Sequence, residues 1–258
     1  MSGALVTGAG GRLGQAMAIY LASRGYDVAV HYAGSREGAE TTVAACRAQG
    51  VRAEAVQADL LDDDAVAGLV PEAAKAVGPL TVLVNNASIF EFDEIDSMTA
   101  ESWTRNIGSN LRAPMFLTQA FAEQVPDPET DERGEPIASA LVLNMIDQRV
   151  KKLTPHFTTY TIAKMGLWAF TQTAARALAP RVRVNGIGPG PTLKGANQSE
   201  DEFAHQRENT VLERGSNPED ITGALGYFLD AKAVSGQMLA VDGGQHLGWK
   251  TPENPGRD

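Results

Sequence analysis

Tyr160 and Lys164 stand four residues apart in the stretch TYTIAKMG. On a helix, that spacing puts both side chains on one face. A free phenol ionises at about pH 10 and is a poor acid or base at neutral pH. A neighbouring ammonium favours the phenolate and is expected to lower that value. The pair therefore reads as a proton donor for a reduction. Alone, it reads better as a solvated surface pair, so the chemistry depends on what else converges on it.

The second signal lies near the start of the chain. Residues 7–14 read TGAGGRLG, after a short apolar run and before a helical pattern. Glycines let a backbone turn sharply and approach a ligand without a Cβ in the way. The helix start that follows offers free N–H groups and a positive dipole end to a pyrophosphate. Strand, glycine turn and helix in this order point to dinucleotide binding. An acid at the end of the second strand would bind the 2′-hydroxyl of NAD. Here that segment runs His31, Tyr32, Ala33, Gly34, Ser35, Arg36, and the first acid is Glu37. Arg12, Ser35 and Arg36 are expected to surround a 2′-phosphate, which suits the bidentate guanidinium. The cofactor expected is NADPH/NADP+. The competing reading of Arg36 is a solvated helix-start residue, which leaves the preference on Arg12 and the missing acid.

These residues need a frame. Short apolar runs at 3–7, 27–32, 52–58, 80–86, 137–145, 182–187 and 237–241 read as strands. Amphipathic stretches at 13–24, 36–49, 62–76, 158–179 and 221–229 read as helices, as does a long zone at 100–125 that Pro114 divides. Alternation with strands apolar on both sides implies a parallel sheet between helical layers. The expected fold is a single α/β domain over residues 1–258. Residues 126–136 read as a solvated loop and 190–218 as a lid, with about 190–216 over the substrate. The tail after Gly248 is expected to extend or to pack on a neighbour.

The formal net charge of −10 argues against nucleic acid and anionic membrane as partners. The lone Cys46 rules out an internal disulfide and reads as a buried apolar residue. His156, His205 and His246 lack metal-ligand spacing, so no metal is expected. With no targeting or membrane signal, the expectation is a cytoplasmic protein.

Taken together, the chain resembles the short-chain dehydrogenase/reductase family over nearly its whole length. The motifs are the glycine turn, Asp59 in QADL, Asn85-Asn86-Ala87, Asn110, Tyr160 with Lys164, Asn185, and Pro189-Gly190. The resemblance implies a doubly wound Rossmann-type three-layer sandwich with a seven-stranded parallel sheet, NAD(P)(H)-dependent hydride transfer, and a homo-oligomer, tetramer or dimer. Two departures narrow it. Arg12 stands where most members have a second glycine. Asp147 stands thirteen residues before the tyrosine, where most have a catalytic serine. Both resemble the pteridine reductase branch, which includes bacterial dihydromonapterin reductases, as do Ser88 after Asn-Asn-Ala, and Phe90.

By that resemblance Asp147, Tyr160, Lys164 and Asn110 are catalytic. Asp147 and Tyr160 would deliver the proton, Lys164 would hold the nicotinamide ribose, and Asn110 would support a water or backbone link to Lys164. The cofactor would be held by Gly8, Arg12, Leu13, His31, Tyr32, Ser35, Arg36, Asp59, Leu60, Asn86, Ala87, Ser88, Tyr160, Lys164, Pro189, Gly190 and Thr192. Arg12, Ser88, Phe90, Asp147 and Tyr160 would meet the substrate, with Phe90 stacking on a flat heterocycle. Plain packing is the competing reading of Phe90, and loss of activity that of Asp147. The function implied is NADPH-dependent reduction of pterins or dihydropterins. A carbonyl reductase acting on a 3-oxoacyl thioester or a sugar and a non-catalytic NADPH-binding regulator are the alternatives.

Overall fold

The computed structural model describes residues 2–195 and 198–249. The tail beyond Trp249 lies outside the described residues. Seven parallel strands form one sheet in the order β3-β2-β1-β4-β7-β8-β9. They are β1 (Gly3–Val6), β2 (Asp27–Tyr32), β3 (Ala53–Gln57), β4 (Leu80–Asn85), β7 (Ala140–Met145), β8 (Val182–Pro189) and β9 (Met238–Val241). Every residue of β1, β2 and β7 is buried. That two-sided burial needs helices on both faces.

One face packs against α1 (Arg12–Ser23), α2 (Arg36–Arg47) and α8 (Pro218–Asp230), through Met17, Leu21, Val43, Leu225 and Phe228. The other packs against α3 (Asp63–Val77), α5 (Ala113–Gln124) and α6 (Thr158–Ala177), through Leu69, Leu117, Phe121 and Ala174. The expected doubly wound three-layer sandwich is therefore the fold. The strand order reverses between β1 and β4, and ligands of such sheets bind at the carboxyl ends of the strands beside that reversal.

Local chemistry sets the element ends. Asp62 caps α3, its carboxylate accepting the N–H groups of Asp64 and Ala65. The long helical zone is three pieces: α4 (Ala100–Ile107), a π-helical turn at Gly108–Arg112, and α5, with Pro114 in its first turn. The π turn carries Asn110, a common association between such turns and functional sites.

Two segments carry more structure than their sequence shows. Residues 126–136, read as a solvated loop, are largely exposed and hold most of an antiparallel ribbon, β5 (Glu129–Thr130) with β6 (Pro136–Ile137). Asp131 closes it by accepting the N–H groups of Arg133 and Glu135. The lid segment contains a helix, α7 (Glu200–Glu208), started by a reciprocal capping box between Ser199 and Glu202.

Candidate active site

The glycine turn joins β1 to α1. Gly8 has φ 64°, a conformation glycine adopts freely. A Cβ on Gly14 would lie 2.3 Å from the Gly8 carbonyl oxygen, so the helix packs on the turn only because position 14 has none. Asn86, after β4, donates its side-chain amide to the carbonyls of Thr7 and Gly8. The N–H groups of Asn86 and Ala87 both donate to the Thr7 hydroxyl. Asn86 thus ties the two strand ends together across the reversal.

His31 sits beneath the turn, 1% exposed. Its Nδ1 accepts the Gly8 N–H at 3.0 Å, and its Nε2 bonds the Ala58 carbonyl at 3.0 Å. Both ring nitrogens are committed, so the ring supports the turn instead of touching a cofactor, contrary to expectation. Burial pushes its pKa down to about 4 and keeps it neutral, as acceptance by Nδ1 requires.

The second correction concerns Arg12. Its backbone is left-handed, at φ 54°. Its guanidinium donates to the carbonyls of Leu193 and Lys194, each at 3.3 Å. It therefore reaches over the sheet end toward the segment after β8 and does not converge with Ser35 and Arg36. Ser35 donates to the Gly10 carbonyl, and Arg36 pairs with Glu40 at 2.9 Å on the exposed surface. Tyr32 and Leu60 point into the core, and Asp59 is exposed at the end of β3, accepting the Leu61 N–H.

The residues fit NADPH. Gly11 opens α1 with no capping side chain, and a Cβ there would meet nothing within 4 Å. Uncapped N–H groups facing open space are what a pyrophosphate needs. Ser35 and Arg36, with no acid before Glu37, would take the 2′-phosphate. By the family resemblance, Lys164 and Tyr160 would meet the nicotinamide ribose.

The side chains expected to be catalytic gather at the end of β7. Asp147 follows that strand and caps a short 3-10 turn at Gln148–Val150, its Oδ1 accepting the Arg149 N–H at 2.7 Å. Its Oδ2 accepts the Tyr160 hydroxyl at 2.9 Å. Burial raises the Asp147 carboxyl above its usual range, opposed by the Arg149 N–H and the Tyr160 bond. The Tyr160 phenol is held well above 10, first by burial and then by the Asp147 charge. The expected lowering by Lys164 is thus overturned. Burial and the bonded carboxylate raise the phenol, while the Lys164 Nζ lies 5.5 Å from the ring centre and donates instead to the Met145 carbonyl at 2.8 Å. Burial lowers the Lys164 ammonium to about 8.

Asn110 donates to the Ile89 carbonyl at 2.8 Å and accepts the Ser88 hydroxyl at 2.7 Å. Phe90, 54% exposed, stacks on Phe157 with centroids 4.2 Å apart and sets its ring edge-on to Tyr160 at 4.7 Å. Plain core packing is therefore not its role: the ring stands half exposed beside the Tyr160 phenol.

At the lid, the Thr192 hydroxyl lies 2.5 Å from the Ser216 hydroxyl and donates to the Gly190 carbonyl, so it closes the segment on itself. Gly190 passes so close to Asp242 that a Cβ would lie 2.5 Å from the aspartate Cβ. Arg207 of α7 donates to the carbonyls of Pro191, Gly215 and Ser216 and staples both ends. Asn185 joins the Val234 carbonyl to the Gln237 N–H and is structural.

A glycine turn at the sheet reversal and a Tyr-Lys helix beside it define a dinucleotide-dependent oxidoreductase, and the chain belongs to the short-chain dehydrogenase/reductase family. The family model described as enoyl-(acyl carrier protein) reductase matches residues 8–246. Among relatives, 3-oxoacyl-[acyl-carrier-protein] reductase FabG of Staphylococcus aureus is 32% identical, over 95% of this chain and 98% of that protein. The structure of FolM Alternative dihydrofolate reductase 1 from Brucella suis with NADP superposes with a TM-score of 0.90 at 40% identity, covering 98% of each chain. A short-chain dehydrogenase from Burkholderia cenocepacia with NADP gives 0.85 at 30% identity, covering 95% of this chain and 97% of that one. The protein is an NADP-dependent oxidoreductase. Among the described residues no helix is long and apolar enough to cross a membrane.

Proposed function

We propose that the protein reduces pterins or dihydropterins with NADPH. The carrying observation is the Asp147 carboxyl bonded to the Tyr160 hydroxyl, with the Phe90 ring set against that phenol. NADPH, when bound, supplies the hydride. The chain supplies the ring ledge, the proton and the geometry. Phe90 presents an aromatic face on which a flat heterocycle stacks. A ring C=N bond taking a hydride at carbon needs a proton at nitrogen. The Tyr160–Asp147 pair holds one on the phenol, and burial raises the proton affinity of both groups. Lys164 sits close enough to favour the ionised carboxylate as the proton leaves.

The likeness to FolM supports this reading. The 32% identity to FabG supports a second, reduction of a 3-oxoacyl thioester. Purified protein with NADPH, offered dihydrobiopterin and an acetoacetyl thioester, separates the two. Turnover of the pterin is expected; turnover of the thioester alone overturns the proposal. NADPH binding without turnover of either would favour a regulator. We further propose a homo-oligomer, a tetramer or dimer, since Trp103, Met115, Phe116, Ile162 and Met165 expose apolar surface on α4, α5 and α6. Sedimentation at micromolar concentration tests it, with a monomer as the contrary result.

A further inference from the structure

Asp93 is a buried carboxylate, 1% exposed, outside the residues that meet cofactor or substrate. It lies at the start of α6. Its backbone carbonyl accepts the Phe157 N–H at 2.7 Å, where Phe157 is left-handed at φ 60°. Its Oδ1 accepts the Thr159 N–H at 3.1 Å and its Oδ2 the Thr159 hydroxyl at 2.5 Å. The Thr159 oxygen then accepts from Asn106 Nδ2 at 3.0 Å. Asn106 Oδ1 accepts from Asn110 Nδ2 at 3.3 Å, and Asn110 Oδ1 accepts the Ser88 hydroxyl at 2.7 Å.

This chain has a direction. The Thr159 hydroxyl has one proton, which it gives to Asp93, so towards Asn106 it can only accept. Asn106, whose Nδ2 also donates to the Ser102 carbonyl, turns its oxygen to Asn110, and Asn110, whose Nδ2 also donates to the Ile89 carbonyl, turns its own oxygen to Ser88. We propose that Asp93 is a positioning residue: through Thr159 it anchors the far end of the hydrogen-bond chain Asp93–Thr159–Asn106–Asn110–Ser88 and so steadies how Asn110 and Ser88 present themselves beside Tyr160. The consequence is the same for a pterin or a carbonyl substrate.

Two variants separate this from simple helix capping. Thr159→Val keeps the backbone N–H on Asp93 but removes the hydroxyl. Asp93→Asn keeps the shape but replaces one acceptor with a donor, which weakens the bond that anchors the Thr159 hydroxyl. On whichever substrate the wild-type protein turns over, both are expected to lower kcat about tenfold, a part of the roughly 10²–10⁴-fold attached to general acid–base catalysis. KM for NADPH stays within about twofold, and Thr159→Ser restores kcat. In protein labelled at asparagine with ¹⁵N, without substrate, both variants shift the Asn110 side-chain amide resonance, a readout independent of any activity. Wild-type kcat with an unmoved Asn110 resonance in Thr159→Val overturns the proposal, whatever Asp93→Asn does to folding.

Discussion

The Tyr160 hydroxyl donates to Oδ2 of Asp147 at 2.9 Å, so the transferable proton lies between a phenol and a carboxyl instead of beside an ammonium. Asp147 also carries a cost. Burial raises its proton affinity above the ordinary value of 3.8. A group raised in the folded state contributes its stability below its unfolded value and loses it as pH rises through the folded one. Asp147→Asn is therefore expected to raise the melting temperature at pH 8, with the gain vanishing toward pH 4. The same variant is expected to lower kcat by about 10²-fold or more, the general acid–base range. Thermal melts at both pH values and steady-state kinetics check this. A lower melting temperature at pH 8 would contradict it.

Phe90 faces the cleft with half its surface free. Phe90→Leu is expected to raise KM for a dihydropterin by about 2- to 13-fold, the equivalent of roughly 0.5–1.5 kcal/mol for an aromatic pair. KM for NADPH should not change, since the ring touches Phe157 and Tyr160 and no part of the glycine turn. Initial-rate kinetics with each substrate varied in turn decide. An unchanged pterin KM would remove Phe90 from the substrate ledge.

The two arginines near the turn should behave differently. Arg36 follows β2 beside Ser35, whereas Arg12 reaches the carbonyls of Leu193 and Lys194. Arg36→Ala is expected to weaken NADPH several-fold and leave NADH unaffected. Arg12→Ala is expected to weaken both equally by loosening the lid. Fluorescence titration with the two dinucleotides gives the comparison, and selective loss of NADPH in Arg12→Ala would return that residue to the 2′-phosphate.

Much of the site was legible because its signals are local. Tyr160 and Lys164 share a helix, Gly8 to Gly14 share a turn, and the strands that carry them are apolar on both faces. What stayed hidden depends on contacts between distant segments. His31 occupies a cofactor-side position in sequence, yet a ring inside a sheet of buried strands turns inward to meet Gly8 and Ala58. The direction of the Tyr160 shift was missed because helical spacing shows the lysine but not the burial of the phenol, which raises it first, with the Asp147 charge adding to it. Asp93 lies in the polar run EFDEIDS, and nothing in its spacing joins it to Thr159. Helix α7 did have a signal, Ser199 followed three residues later by Glu202.

His31 makes the glycine turn sensitive to acid. Its ring is neutral because burial lowers its pKa from 6.5 to about 4. A depressed group contributes stability above its unfolded value and loses it as pH falls through the folded one. The window thus runs from 6.5 downward to about 4. Between pH 7 and pH 4.5 the wild-type protein is expected to lose roughly 2–3 kcal/mol from this residue alone, at about 1.4 kcal/mol per pKa unit. Protonation would also put a proton on Nδ1, the atom that accepts the Gly8 N–H, and so release the turn. His31→Gln keeps an acceptor but does not titrate. It should therefore show a shallower fall in urea stability between the two pH values and retain more NADPH affinity at pH 4.5. Parallel slopes for variant and wild type would show that His31 does not carry the acid sensitivity of the turn.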